Sequence, residues 1–342
     1  AGSFRSIDFA LSSMSNSHIQ TVAVLTQYNA RSLNEHLSSS KWWNFGRKQG
    51  GLFLFTPTVT ADNSDWYRGT ADAMYQNIDF LKRRHEPYVI ISSGDCVYKL
   101  DFNRVLDFHI EKKSDITVVC KDMMYNDDVS RFGVVRMDDE SRITEFDEKP
   151  IEALSNTIST GIYVIRRRQL IELLEAAAEE NRFDFVNDIL VRYKNVKKIY
   201  GYKINSYWNN IADIDAYFKT NMDFLRPDVR SYFFREEPTI CSKVDDLPPA
   251  KFNPGSDISN SLVSSGCIIN GSVEDSVLFK QVFVGKNTTV KNCVILNDVY
   301  IGDNVHLENC IVESRGTINP NTCYCGEDGV MIVKEKNVRY VI

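Results

Sequence analysis

The sequence predicts an α/β domain with a mixed, mostly parallel sheet, followed by a left-handed parallel β-helix. Three observations carry this. In the first part of the chain, β-branched apolar runs alternate with stretches of helical periodicity, the order expected of βαβ units. From Ser259 the pattern changes: Val284, Val290, Ile295, Ile301, Leu307 and Val312 recur in steps of roughly six residues, some of five, separated by short polar turns. Between the two lies a stretch without periodicity, punctuated by Pro227, Pro238, Pro248, Pro249 and Pro254. Residues 1–235 are therefore read as the α/β domain, 236–258 as a linker and 259–342 as a hexapeptide-repeat β-helix. An antiparallel sandwich in the last part would show two-residue alternation, which the Val-Gly and Ile-Gly repeats do not.

Composition narrows the class. At 342 residues the chain exceeds one ordinary domain, which usually runs ~100–200 residues. A net charge of -6 argues against a nucleic-acid or anionic-membrane partner. No apolar run approaches the ~20 residues of a membrane span, and no signal peptide is recognised, so a cytoplasmic protein is expected. Most of the eight cysteines lie within apolar runs and read as reduced thiols. Cys323-Tyr324-Cys325 lacks a second close pair and is not read as a zinc site; the alternative is a redox-sensitive surface pair.

The elements follow in order. Thr21 to Thr26 is a β-branched strand, Ala30 to Leu37 a helix, and Leu52 to Phe55 a strand after a long loop. Ser64 to Asn77 begins as a loop and becomes a helix at Thr70-Ala71-Asp72, with Thr70 or Asp65 near its start. Free backbone N–H groups at such a start suit an anion or a polar base edge, and Ala71 and Ala73 would keep the first turn slim enough for a ligand. Tyr88 to Ser92 is an apolar run leading to Gly94-Asp95, as a buried parallel strand does. Phe102 to Glu111 carries helical spacing, Ile116 to Cys120 is a strand, and Phe132–Met137 with Ile143–Phe146 reads as a hairpin. A strand at Thr160–Ile165, helices at Gln169–Glu179 and Phe185–Tyr193, strands at Ile199–Ile204 and Tyr207–Trp208, and a helix from Ile214 to Leu225 complete the domain.

Eight motifs stand in family order: Arg5-Ser6-Ile7-Asp8-Phe9, Thr26-Gln27-Tyr28, Trp66 to Ala73, Gly94-Asp95, Phe132-Gly133-Val134, Glu148-Lys149-Pro150, Ser159 to Tyr163 and Asp215-Ala216-Tyr217. With the β-helix, they make the chain resemble the ADP-glucose pyrophosphorylases (glucose-1-phosphate adenylyltransferases) of bacterial glycogen synthesis. The resemblance implies a Rossmann-like, GT-A-like nucleotidyltransferase domain. It implies a reaction of ATP with glucose 1-phosphate, in which the sugar phosphate attacks the α-phosphorus and magnesium neutralises charge. Asp95 matches a metal carboxylate. Lys149 matches the sugar-phosphate lysine, a point charge with rotatable donors. Glu148 and Ser159 match positions that hold sugar hydroxyls, with Gly133 and Tyr67 beside the sugar. Gln27, Gly69 and Thr70 match the nucleotide segment.

The chain departs from the family at two motifs. Where active members carry Trp-Arg-Asp-Val-Gly-Thr, it has Trp208-Asn209-Asn210-Ile211-Ala212-Asp213, so Asn210 replaces the second metal carboxylate. Where they carry Gly-Asp-His, it has Gly94-Asp95-Cys96. An amide brings no charge to Mg²⁺. The expectation is therefore a regulatory subunit of the GlgD type, hetero-oligomeric with a catalytic subunit and homo-oligomeric alone. The rival enzyme reading has Asp213 or Asp215 supply the missing charge. A third reading, a β-helix acyltransferase, needs an exposed catalytic histidine on the coils, for which His306 is the candidate, expected in a solvent-facing turn.

Overall fold

The computed structural model describes residues 2–46, 50–58, 66–124 and 127–336. The possible cap at Asp65 lies outside them. The chain divides into two compact units: Ser13–Gly94 with Lys99–Trp208, and Ala1–Ser12 with Asp95–Tyr98 and Asn209–Ile342. This division falls elsewhere than at a linker after residue 235.

The strands in chain order are β1 (Thr21–Leu25), β2 (Gly51–Phe55), β3 (Tyr88–Ser92), β4 (Cys96–Tyr98), β5 (Ile116–Asp122), β6 (Gly133–Met137), β7 (Ile143–Glu148), β8 (Thr157–Arg166), β9 (Ile199–Lys203) and β10 (Trp208–Asn210). The helices are α1 (Ser6–Asn16), α2 (Ala30–Leu37), α3 (Thr70–Gln76), α4 (Ile78–Lys82), α5 (Phe102–Glu111), α6 (Arg167–Glu179), α7 (Ile214–Asp223) and α8 (Pro227–Phe234).

In the first unit, β7-β6-β8-β5-β9 form a sheet to which β3 adds by pairing β8. The sheet is mixed, as the sequence predicts, but its balance differs. β5 and β9 are parallel, as are β1 and β2. The ten-residue β8 runs antiparallel to β3, β5 and β6. β3 is therefore not the fully buried parallel strand its apolar run implies, and its five residues are half-buried. The helical spacing of α6 places Leu170, Leu173, Leu174 and Ala177 on one buried face. That face joins Ile116, Val118, Val135, Phe146 and Ile165 in the core. The predicted helix at Phe185–Tyr193 is a π-helical turn over Val186–Val191.

In the second unit, three five-stranded parallel sheets stack coil on coil. The first coil opens at Lys251–Phe252, inside the stretch read as linker. Val284, Val290, Ile295, Ile301, Leu307 and Val312 all point inward and are fully buried. Left-handed residues recur at the corners: Asn287, Asn304 and Asn321 hold φ of 54°, 57° and 61°, a region Asn tolerates better than most residues. Their side chains stack, with the Asn304 amide donating to Asn321 Oδ1 at 3.1 Å. Tyr217, Phe218, Met222 and Leu225 of the α7 region pack on Val277, Phe279, Val294 and Ile311 of the coils. Phe4, Phe9, Phe224 and Phe233 add an aromatic cluster, with Phe9 and Phe233 edge to face at 5.3 Å.

Among the described residues, no helix is long and apolar enough to cross a membrane.

Candidate functional site

The predicted site residues are distributed over both units. In the first unit, β6 and β7 place Gly133 directly opposite Glu148. A Cβ on Gly133 would lie 2.8 Å from Glu148 Oε2 and 2.9 Å from the Phe146 ring. Glycine is thus what lets the Glu148 carboxylate lie against the backbone. Burial pushes the Glu148 carboxyl above its ordinary value; Lys149 opposes this and Asp184 adds to it. Lys149 itself is exposed. Its backbone takes the left-handed φ of 50° just before Pro150, and its N–H donates to Phe132 O at 3.1 Å. That conformation is costly for a lysine before a proline and is of the kind that collects at functional positions. Ser159 on β8 is buried and donates its hydroxyl to Tyr163 Oη at 3.2 Å. Burial raises the Tyr163 phenol far above its usual value, and Glu148 and Asp184 act in the same direction.

The α3 region does not meet its expectation. The N–H groups of Ala71 and Asp72 are not free; both donate to Phe183 O, at 2.8 and 3.2 Å. Ala71 and Ala73 are buried, and Ala71 is part of the core. A Cβ on Gly69 would meet Phe183 O at 2.4 Å, and Thr70 Oγ1 accepts the Phe185 N–H at 2.9 Å. The short helix is docked on the 183–185 backbone, which satisfies the amides that would otherwise need a ligand. The Asp72 carboxylate closes the turn by accepting from Arg68 N, the Arg68 guanidinium and Gln76. Burial pushes the Asp72 carboxyl up, but the Arg68 and Gln76 interactions outweigh it and hold the group below its ordinary value.

Gln27 and Tyr67 are brought together: Tyr67 N–H donates to Gln27 Oε1 at 2.6 Å, and Tyr67 Oη accepts from Asn77 Nδ2 at 3.0 Å. Next to each in sequence, Tyr28 and Trp66 stack at 5.2 Å with both rings exposed. Sequence reasoning missed this pair, and it missed Asp184 and Phe183, whose roles come from contacts between distant segments.

In the second unit, Asp95, Cys96 and Asn210 form a chain. Asn210 Nδ2 donates toward Cys96 Sγ at 3.6 Å, and the Cys96 thiol donates toward Asp95 Oδ1 at 3.4 Å. The Ile211 N–H donates to Asp95 O at 2.9 Å and holds the segments in register. Asn210 Oδ1 accepts the Ala212 N–H at 3.0 Å. Burial raises the Cys96 thiol far above its usual value, and the Asp95 charge adds to this, so the sulfur stays protonated. Asn209 donates to Asp223 at 3.2 Å. Asp213 caps α7, accepting the Ala216 N–H at 2.7 Å, and Asp215 is exposed in the first turn. A magnesium ion asks for hard oxygen donors. One carboxylate, an amide oxygen already accepting a backbone N–H and a protonated thiol do not provide that set.

His306 lies on a strand, His306–Glu308, not in a turn, and faces Glu308 at 3.5 Å.

The α/β domain and the parallel solenoid are those of a nucleotidyl transferase with a hexapeptide-repeat domain, and family models match both. Residues 1–226 match the nucleotidyl transferase model, and residues 248–333 match the GlmU-like C-terminal hexapeptide model. Among curated proteins, the glucose-1-phosphate adenylyltransferase of Clostridium novyi is 37% identical over 292 residues, covering 84% of this chain and 76% of the relative. That of Clostridium beijerinckii is 39% identical over 293 residues, covering 84% and 75%. That of Bacillus subtilis is 37% identical, covering 84% and 77%. The chain belongs to the glucose-1-phosphate adenylyltransferase family of nucleotidyl transferases.

Proposed function

We propose that this chain is a regulatory, catalytically impaired subunit of a bacterial glucose-1-phosphate adenylyltransferase, of the GlgD type, acting in glycogen synthesis beside a catalytic paralogue. The observation that carries the reading is the chain Asn210–Cys96–Asp95, in which an amide and a thiol stand beside a single carboxylate. In the reaction, magnesium would screen the triphosphate while the sugar phosphate attacks. Here Asp95 alone carries charge among those three side chains, and Asn210 is occupied with the backbone of its own turn.

The sugar-phosphate cluster is better kept. In this reading, Glu148 and Ser159 hold sugar hydroxyls and Lys149 meets the phosphate. Gly133 leaves room for the carboxylate, and Tyr67 supports the adjoining loop. Glucose 1-phosphate binding without turnover is the expected behaviour. The same reading places the chain in the cytoplasm, as a homo-oligomer alone and a hetero-oligomer with its partner.

The competing reading is an adenylyltransferase active in its own right, with Asp213 or Asp215 replacing the lost charge. Asp213 is already the cap of α7, which speaks against its recruitment. The deciding experiment is magnesium-dependent ADP-glucose synthesis by the purified chain, with and without a catalytic paralogue. Little synthesis alone and an altered rate in the mixture support the regulatory reading. Vigorous synthesis by the chain alone overturns it.

A further inference from the structure

The solenoid brings four metal-ligating side chains onto one outer face. His306 and Glu308 lie on one strand and Cys323 and Cys325 on the strand of the next coil. The parallel register sets His306 against Cys323 and Glu308 against Cys325. Between them, Leu307 and Tyr324 turn toward the core. Alternation along a strand therefore sends all four ligating residues to the same outward face. We propose that His306, Glu308, Cys323 and Cys325 form a structural zinc site that staples two successive coils of the solenoid.

The distances gather His306, Glu308 and Cys325 into one group, which Cys323 joins through its contact with Cys325. Zinc is bound at about 2.3 Å by sulfur and about 2.0–2.2 Å by nitrogen or oxygen, so a tetrahedron sets two sulfurs about 3.8 Å apart and a nitrogen and an oxygen about 3.4 Å apart. Cys323 Sγ and Cys325 Sγ are 3.6 Å apart, and His306 Nε2 and Glu308 Oε2 are 3.5 Å apart. Ligand atoms of His306, Glu308 and Cys325 all lie within 4.8 Å of one another. Two thiols, an imidazole and a carboxylate are zinc donors, whereas magnesium and calcium would refuse the sulfurs. The nearby cation on the same face, Lys291, lies 3.7 Å from Glu274 of the preceding coil.

The bare cluster is electrostatically poor. Partial burial, the second thiol and the Glu308 charge push the Cys325 thiol up to about 11. A bound dication reverses that balance. Each thiol gives its proton to solvent and becomes a thiolate. Imidazole stays neutral and binds through Nε2, and Zn²⁺ with two thiolates and one carboxylate leaves a net charge of -1. The Cys-x-Cys pair looks incomplete along the chain because its second pair comes from the coil before, at no local sequence spacing.

The test uses the reduced, metal-stripped full chain titrated with Co²⁺ and then Zn²⁺. One equivalent of Co²⁺ should give tetrahedral bands with thiolate-to-metal charge transfer, and Zn²⁺ should displace it. The double variant Cys323→Ser, Cys325→Ser should lose the charge-transfer band. His306→Ala should weaken uptake by more than the roughly 10–100-fold typical of losing an outer-shell partner. These side chains sit at the surface, so circular dichroism can confirm that each variant folds. Zn²⁺ should also shield both thiols from alkylation. Absence of a thiolate band, undiminished uptake in the double serine variant, or equal alkylation with and without Zn²⁺ would each overturn the site.

Discussion

Asn210 donates its side-chain N–H toward the Cys96 sulfur, 3.6 Å away. The amide thus meets a buried, protonated thiol at the two positions where the sequence motifs depart from the family pattern. Restoring one without the other leaves a mismatch. Asn210→Asp would set a second carboxylate near Asp95, and with no cation between them like charges disfavour the folded form. The variant should therefore melt below the wild type without Mg²⁺ and regain stability as Mg²⁺ is added, by linkage. The wild type should show little such dependence. With Cys96→His added, ADP-glucose synthesis should rise, since one transition-state interaction is typically worth ~10²–10³ in rate. Thermal melts across a Mg²⁺ series and the synthesis assay read the two effects separately. Equal Mg²⁺ response in wild type and variant would sink the account.

Glu148 yields a pH prediction. Its folded pKa is raised above the ordinary 4.5, chiefly by burial and then by Asp184, against the pull of Lys149. Between the unfolded and folded values, the folded state holds the extra proton, so stability falls as pH rises through that window. Glu148→Gln removes the penalty. The variant should match the wild type below about pH 4.5 and be the more stable of the two above the raised folded value. Glucose 1-phosphate binding should weaken at the same time, the usual exchange between stability and a polar site. Denaturant melts across pH and calorimetry with the sugar phosphate check both halves. A variant less stable than wild type at neutral pH would contradict the assignment.

In the solenoid, Leu307 is fully buried in the axial core between Val290 and Tyr324 of the flanking coils. Leu307→Ala should cost about 2–5 kcal/mol and Ile301→Val about 0.5–1.5 kcal/mol. Denaturation followed by a probe in the solenoid measures both. Near-equal losses would mean that the coil interior relaxes around the missing volume.

How much of this was legible in the sequence differs by element. The buried ladder Val284, Val290, Ile295, Ile301, Leu307 and Val312 follows from period alone, because each strand of a coil sends one aliphatic residue inward, at steps of five or six residues. The face of α6 follows from helical spacing for the same reason. The metal-like cluster Asp95–Asn210 could be placed by motif, but the role of Cys96 as a link between the two could not. Sequence reasoning failed where a partner came from far away. Phe183 fills the amides at the start of α3, Asp184 perturbs Glu148, and His306 meets Cys325 across coils. None of these pairings has a spacing that local periodicity can reveal. The long β8 also set its neighbours antiparallel, which an alternation of strand and helix does not announce.

Gly69 separates a packing role from a ligand role. Motif matching places it along a nucleotide, whereas the structure sets the Phe183 carbonyl 2.4 Å from where its Cβ would be. That carbonyl cannot retreat without releasing the Ala71 and Asp72 N–H groups, both of which depend on it. Gly69→Ala should therefore cost roughly 1–3 kcal/mol of stability, the scale of overpacking a close contact, whether or not nucleotide is present. The Arg68 guanidinium lies 3.8 Å over the Phe183 ring, so the same displacement should disturb that stacking. Amide hydrogen exchange is the sharper readout. Protection at Ala71 and Asp72 should fall in the variant while that of the α6 core stays close to wild type. If Gly69→Ala leaves both stability and those two amides unchanged but weakens ATP binding, the glycine is there for the ligand, and the docking of α3 on Phe183 has room to give.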